Sequence, residues 1–223
     1  MSTLSIFLSP KAKGLFHKVI VHSDPVGIAY GTQQTAEKMS SIFCKLVDCQ
    51  PTDLACLKKL PVEKILNDQI TAVAADPDIE KHLFQGGAPW EPYVDGNLLI
   101  GQPLDLIPLG NYNRVPVMIG SVNDEGVMFV YPLLPYLNGV AYRSVLQVIY
   151  GATANAIHQL YPTLPSGQDN RLQVSKIVTD SAFVCPIRNI SRSLSAAGIP
   201  LYLVCSFFSL FILLDFFLFS SKL

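Results

Sequence analysis

The sequence predicts an α/β fold, and three observations carry that expectation. Two short runs, "KVIVHS" at 18–23 and "VPVMIG" at 115–120, are apolar, rich in β-branched residues and too brief for helices. Segments with apolar residues at helical spacing lie between and after them, so helices follow isolated buried strands. Of the 223 residues, 50% are hydrophobic, enough for one sizeable core and for one domain or most of one.

The elements follow in order. Leu4, Phe7 and Leu8 recur at helical spacing until Pro10 interrupts. "KVIVHS" is a strand and "DPVG" turns the chain. In 32–49 the apolar positions Ala36, Met39, Phe43, Leu46 and Val47 line one face of an amphipathic helix. "PTDLACLKKLP", 51–61, is a short helix with Thr52 as its N-cap and Pro61 at its end, and "VEKILNDQI" is another. The segment 85–113 is rich in Gly, Pro and Asn and reads as loops with one short helix near 102–109. "VPVMIG" is apolar on both faces, as a central strand of a parallel sheet should be. "YRSVLQVIY", "ANAIHQLY" and the long stretch 170–194 are helical.

Charge and cysteines narrow the function classes. Sixteen Lys and Arg against 17 Asp and Glu give a formal charge of −1, with no basic stripe. Nucleic acid is therefore not an expected partner. Cys44, Cys49, Cys56, Cys185 and Cys205 form no C-x-x-C pair, and no His stands at zinc-ligand spacing, so no metal or cofactor is expected. Cys49 and Cys56 bracket "QPTDLA". Composition leaves open whether they close a disulfide or stay buried thiols. The N-terminus does not have the pattern of a secretory signal, since Lys11 and Lys13 follow its apolar residues.

The end of the chain differs from the rest. "PLYLVCSFFSLFILLDFFLFSSKL" is heavy in Phe and Leu, and Asp215 is its only acid. The stretch 199–219 is long enough to span a bilayer, which takes about 20 apolar residues. The same pattern fits a buried strand at "PLYLV" followed by sequence foreign to the fold.

Three stretches together resemble the carboxylesterase type B family, the cholinesterase-like α/β-hydrolases, and a fourth fits a later helix of that family. They are "LSPKAKGLFHKVIVHSDP" at 8–25, "DCQPTDLACLKKLP" at 48–61, "PYVDGNLLIGQPLDLIPLGNYNRVPVMIGSVNDEGVMF" at 92–129, and "FVCPIRNISRSL" at 183–194. The third is the most specific. The resemblance covers residues 1–203 and implies an incomplete α/β-hydrolase fold, the C-terminal part of the sheet with its helices. Residues 204–223 then form a hydrophobic tail.

The resemblance implies that Glu125 is the acid of a serine-hydrolase triad. Such a carboxylate accepts the imidazole Nδ1–H, fixes its tautomer and stabilises the imidazolium formed in the reaction. Taken without the resemblance, Glu125 reads as an acid at the N-terminus of a helix starting near Gly126, favoured by the helix dipole.

Its partners are not in the sequence. No G-x-S-x-G occurs; if "MS" at the start is the internal Met-Ser of the family's nucleophile segment, the nucleophile stands about four residues before Met1. "QGG" at 85–87 is no substitute for the oxyanion loop. His17, His22, His82 and His158 all lie outside the H-G-x-E-like setting expected of the catalytic histidine, and are read as structural or surface residues. A sheet built only from strands near 18–23, 115–120 and 199–204 would expose raw edges and an apolar face.

The expectation is therefore part of a serine carboxylic-ester hydrolase, acting on a small ester in the intact family and inactive as given. The alternative is a non-catalytic binding or adhesion module, anchored to a membrane through the tail. The resemblance also implies a secreted or membrane-associated protein with Cys49 and Cys56 paired. The sequon "NIS" at Asn189 agrees with export.

Overall fold

The computed structural model describes residues 1–77 and 90–206. His82, "QGG" at 85–87 and the tail from 207 onward lie outside the described residues. In chain order the elements are helix α1 (Ser2–Leu8), strand β1 (Val19–His22), strand β2 (Gly31–Thr32), helices α2 (Gln33–Leu46), α3 (Leu54–Lys58) and α4 (Val62–Ala74), strand β3 (Tyr93–Val94), helix α5 (Pro103–Leu106), strand β4 (Val117–Val122), helices α6 (Val127–Leu133), α7 (Gly139–Tyr150), α8 (Ala154–Leu160), α9 (Arg171–Val178) and α10 (Cys185–Ala196), and strand β5 (Leu201–Ser206). The described residues divide into two compact units, one of Met1–Gly27 with 103–206, the other within Ile28–Gln102.

The first unit holds a parallel sheet in the order β1-β4-β5. The "VPVMIG" run is its central strand, as its apolar faces require. The strand starts at Val117 rather than 115, because Pro116 has no N–H to give to a ladder. The Pro116 carbonyl instead accepts from Val19 N–H at 3.0 Å. Val19, Val21, Val117 and Ile119 are buried. The alternate row places Ile20, Met118 and Tyr202 side by side in register. Ile20 is 65% and Tyr202 49% exposed, an apolar row on the three-stranded sheet of the described residues. β5 runs through Val204 and Cys205 to Ser206, at the head of the apolar stretch 199–219. No helix among the described residues is long and apolar enough to cross a membrane.

Around α6–α9 a helical core gathers Val130, Leu137, Tyr142, Leu146, Ala154, Val174 and Ile177. Tyr142 is fully buried, and its hydroxyl donates to the Tyr161 carbonyl at 2.7 Å, so the polar tip carries no desolvation penalty without a partner. The stretch 170–194 is not one α-helix. Between α9 and α10 the turns widen into a π-helical segment, Thr179–Val184. Pro186, in the first turn of α10, has no N–H for the carbonyl of Ala182. That carbonyl accepts the Gly27 N–H at 2.8 Å instead. Gly27 sits so close to Ser181, Ala182 and Pro186 that any Cβ there would clash.

The second unit packs α2 and α4 together beside the two-residue parallel pairing of β2 with β3. Thr32 caps α2 and exchanges hydrogen bonds with Thr35 in a capping box, which sets the helix start at Gln33. The helix ends at Leu46 rather than running to 49. Asp48 turns left-handed (φ 56°), and Cys49 N–H bonds the Cys44 carbonyl at 3.0 Å, closing a Schellman-type cap. Cys49 and Cys56 form a disulfide with Cα atoms 5.8 Å apart. The cap of α3 is Asp53, not Thr52. Asp53 N–H closes a turn on the Gln50 carbonyl, which uses Pro51 and Thr52, and Asp53 Oδ1 then accepts Cys56 N–H at 2.9 Å. Lys38 pairs with the buried Asp76 at 2.7 Å.

The "VDG" motif is also in this unit. Asp95 Oδ1 accepts the N–H groups of Asn97, Leu98 and Leu99 at 2.9, 2.8 and 2.9 Å. Gly96 supplies the left-handed residue that this turn needs (φ 69°). The backbone bonds, that from Leu99 first, hold the Asp95 carboxyl below the ordinary carboxylate range.

Candidate active site

Because β1, β4 and β5 are parallel, their carboxyl ends share one rim, where open α/β sheets hold their sites. At that rim β4 ends in Val122, the chain turns through Asn123, Asp124, Glu125 and Gly126, and α6 begins at Val127.

Glu125 is only 5% exposed. Its Oε1 accepts Val122 N–H at 2.9 Å, so the carboxylate folds back onto the end of its own strand. Among the described residues no hydrogen bond engages Oε2. The N-cap of α6 is Gly126, and no side chain caps this helix. The bond to the carboxylate thus comes from the strand side, not from the N–H groups of the helix.

The turn is held from outside. Gly126 N–H donates to Thr179 Oγ1 at 2.9 Å, and the Thr179 hydroxyl donates to the Ser175 carbonyl at 2.8 Å. All three are buried. A Cβ on residue 126 would run into the Ser175 carbonyl, so α9 lies directly against the turn backbone. Thr179 opens the π-helical segment, an irregularity that recurs near functional sites. Thr179 is the residue that sequence reasoning missed. Its local signal was Pro186, seven positions on, which no regular helix accommodates in its interior.

At the same rim the chain leaves β1 through Ser23, whose left-handed backbone (φ 52°) is unusual for serine. Ser23 N–H donates to the Gly120 carbonyl at 2.8 Å, and its hydroxyl lies 3.1 Å from His22 Nδ1. His22 and His17 are exposed. His158 Nε2 lies 2.8 Å from Thr163 Oγ1 and accepts Thr163 N–H at 3.3 Å, which ties the end of α8 to the following loop. No described histidine is bonded to Glu125.

The pattern of the carboxylesterase family matches residues 1–207, nearly all that the structure describes. The chain belongs to the carboxylesterase family. This carboxylesterase chain is 33% identical over 199 residues to the "Crystal protein" of Dictyostelium discoideum, covering 87% of this chain and 35% of that one. It is 24% identical over 222 residues to an acetylcholinesterase of Leptinotarsa decemlineata, covering 90% and 35%. The chain therefore spans about a third of the length of these relatives. Among solved structures, a carboxylesterase of Geobacillus stearothermophilus superimposes with a TM-score of 0.70 at 19% identity, over 98% of this chain and 44% of that one. The fold is part of an α/β-hydrolase fold.

Proposed function

We propose that this chain carries the acid, Glu125, of a Ser–His–Glu triad in a hydrolase of small carboxylic esters. We further propose that it needs nucleophile- and histidine-bearing sequence beyond these 223 residues to act. The observation that carries the reading is the state of the carboxylate. It is buried at the carboxyl end of the central strand, with one oxygen tied to Val122 N–H and the other without a hydrogen bond among the described residues.

In the reaction, a serine hydroxyl attacks the ester carbonyl while a histidine takes its proton. The oxygen of Glu125 not bonded to Val122 accepts the opposite imidazole N–H, holds the ring in the right tautomer and stabilises the imidazolium. The backbone bond on Oε1 prevents the carboxylate from rotating away. Thr179 and Ser175 do not touch the reacting atoms; they keep the turn in register.

The test compares the 223-residue chain alone with the same chain co-folded with the upstream and downstream segments of a family member. The readout is p-nitrophenyl ester hydrolysis. The expected result is no hydrolysis by the chain alone and hydrolysis after complementation, lost in Glu125→Gln. Hydrolysis by the isolated chain that Glu125→Gln abolishes would refute its inactivity. Complemented activity that survives Glu125→Gln would remove Glu125 from the triad.

A further inference from the structure

We propose that Asn189 is an N-glycosylation site whose sequon is read on the unfolded chain, before Ser191 is buried. "NIS", 189–191, is the sole N-x-S/T sequon in the sequence. It lies in α10, a strongly amphipathic helix. Cys185, Arg188, Asn189, Arg192 and Ala196 are exposed along one side, while Pro186, Ile187, Ile190, Ser191 and Leu194 are buried on the other.

Ser191 is anomalous on the buried side. It is fully buried, and its hydroxyl has no hydrogen-bond partner among the described residues. Helical serines normally discharge this cost on the carbonyl four residues back, as Ser175, Ser181 and Ser193 do here. A buried hydroxyl left without a partner destabilises the folded state, so packing favours alanine at this position. The folded helix gives this hydroxyl no role. The sequon supplies one, since its third position must be Ser or Thr.

Asn189 satisfies the other half. It is exposed, so a glycan on it projects into solvent and leaves the buried face of α10 undisturbed. The two residues are two apart on a helix and do not face each other, so one enzyme cannot read both once α10 has formed. Transfer therefore precedes folding of this segment. The side-chain amide nitrogen of Asn189 attacks the anomeric carbon of an oligosaccharide carried on a polyprenyl diphosphate. The C–N glycosidic bond forms, the carbon–oxygen bond to the diphosphate breaks, the lipid diphosphate leaves with the electron pair, and the amide gives up one proton. The Cys49–Cys56 disulfide agrees with passage through the oxidising compartment where such donors are used.

The experiment expresses the full chain behind a cleavable secretory signal in microsomes and reads the gel mobility before and after endoglycosidase digestion. The wild type is expected to show a single-glycan shift that digestion removes. Asn189→Gln and Ser191→Ala are expected to lose it, and Ser191→Thr to keep it. Because transfer precedes folding, these outcomes do not depend on whether a variant folds. The proposal is overturned if the wild type shows no shift while a control sequon appended to the same chain is modified. A shift that persists in Asn189→Gln overturns it equally.

Discussion

Two carboxylates in this molecule stand in turns just beyond strands, and the structure uses them in opposite ways. Asp95 follows β3, is exposed, and gathers three backbone N–H groups on one oxygen. Glu125 follows β4, is buried, and takes a single backbone N–H, with its other oxygen not engaged by the described residues. Asp95 is the structural keystone of its own turn. Glu125 is held in place by a turn that other elements stabilise, through Thr179 and Ser175. A carboxylate that makes its turn is already satisfied. One that its turn makes rigid keeps acceptor capacity for a further partner, and that is the form a catalytic acid takes.

Substitution should separate the two. In a complemented, active enzyme, Glu125→Gln is expected to lower ester hydrolysis roughly 10³–10⁴-fold with little change in unfolding midpoint, because the amide oxygen still accepts Val122 N–H. Asp95→Asn should leave turnover untouched. Equal losses of activity in the two variants would erase the distinction.

The next effect concerns the support of the turn. Thr179→Val keeps the shape but removes both the acceptor for Gly126 N–H and the donor to Ser175. It is expected to cost about 1–3 kcal/mol by chemical denaturation. Gly126→Ala, which forces a methyl group into the Ser175 carbonyl, is expected to cost about 1–3 kcal/mol as well. Denaturation midpoints unchanged in both variants would show that α9 does not anchor the turn.

The smallest effect is a pH dependence carried by Asp95. Its carboxyl is held below the ordinary range, chiefly by the Leu99 N–H, so the folded-state pKa is lower than the unfolded one. The stability it contributes is therefore present above the unfolded pKa of about 4, and is lost as pH falls through the lower folded value. Urea midpoints measured from pH 5 downward should fall less steeply in Asp95→Asn than in the wild type. Parallel curves would mean that the three backbone bonds do not favour the charged form.

Much of the framework was legible because it rests on local chemistry. The helical spacing of Leu4, Phe7 and Leu8 and the buried row of Val19, Val21, Val117 and Ile119 in the β-branched runs reflect burial, which leaves a period in the sequence. Three further features were not legible for a common reason. The choice of Asp53 over Thr52 as a cap, the end of α2 at Leu46 and the π-helical break at Thr179 all depend on which backbone groups find partners. Gln50 draws Asp53 into a turn, and Gly27 satisfies the carbonyl that Pro186 leaves. In the first two cases the bonds are local, but the sequence does not say which of several neighbouring groups makes them, and the third joins Gly27 to a carbonyl far along the chain.

By itself, then, the sequence determined the α/β class, the central strand and the family resemblance, and it singled out Glu125 at the end of that strand. It left the oxidation of Cys49 and Cys56 open until the resemblance implied it, and the bond is present in the structure. Only the tertiary structure decided the parallel order β1-β4-β5, the backward hydrogen bond that orients Glu125, and the buried grip of Thr179 on Gly126. Burial repeats along the chain and can be read from one residue to the next. Orientation of a single carboxylate is set by a donor on β4, Val122 N–H, and by an acceptor for Gly126 N–H at the start of the π-helical segment 53 residues beyond it, which only folding brings within hydrogen-bonding distance.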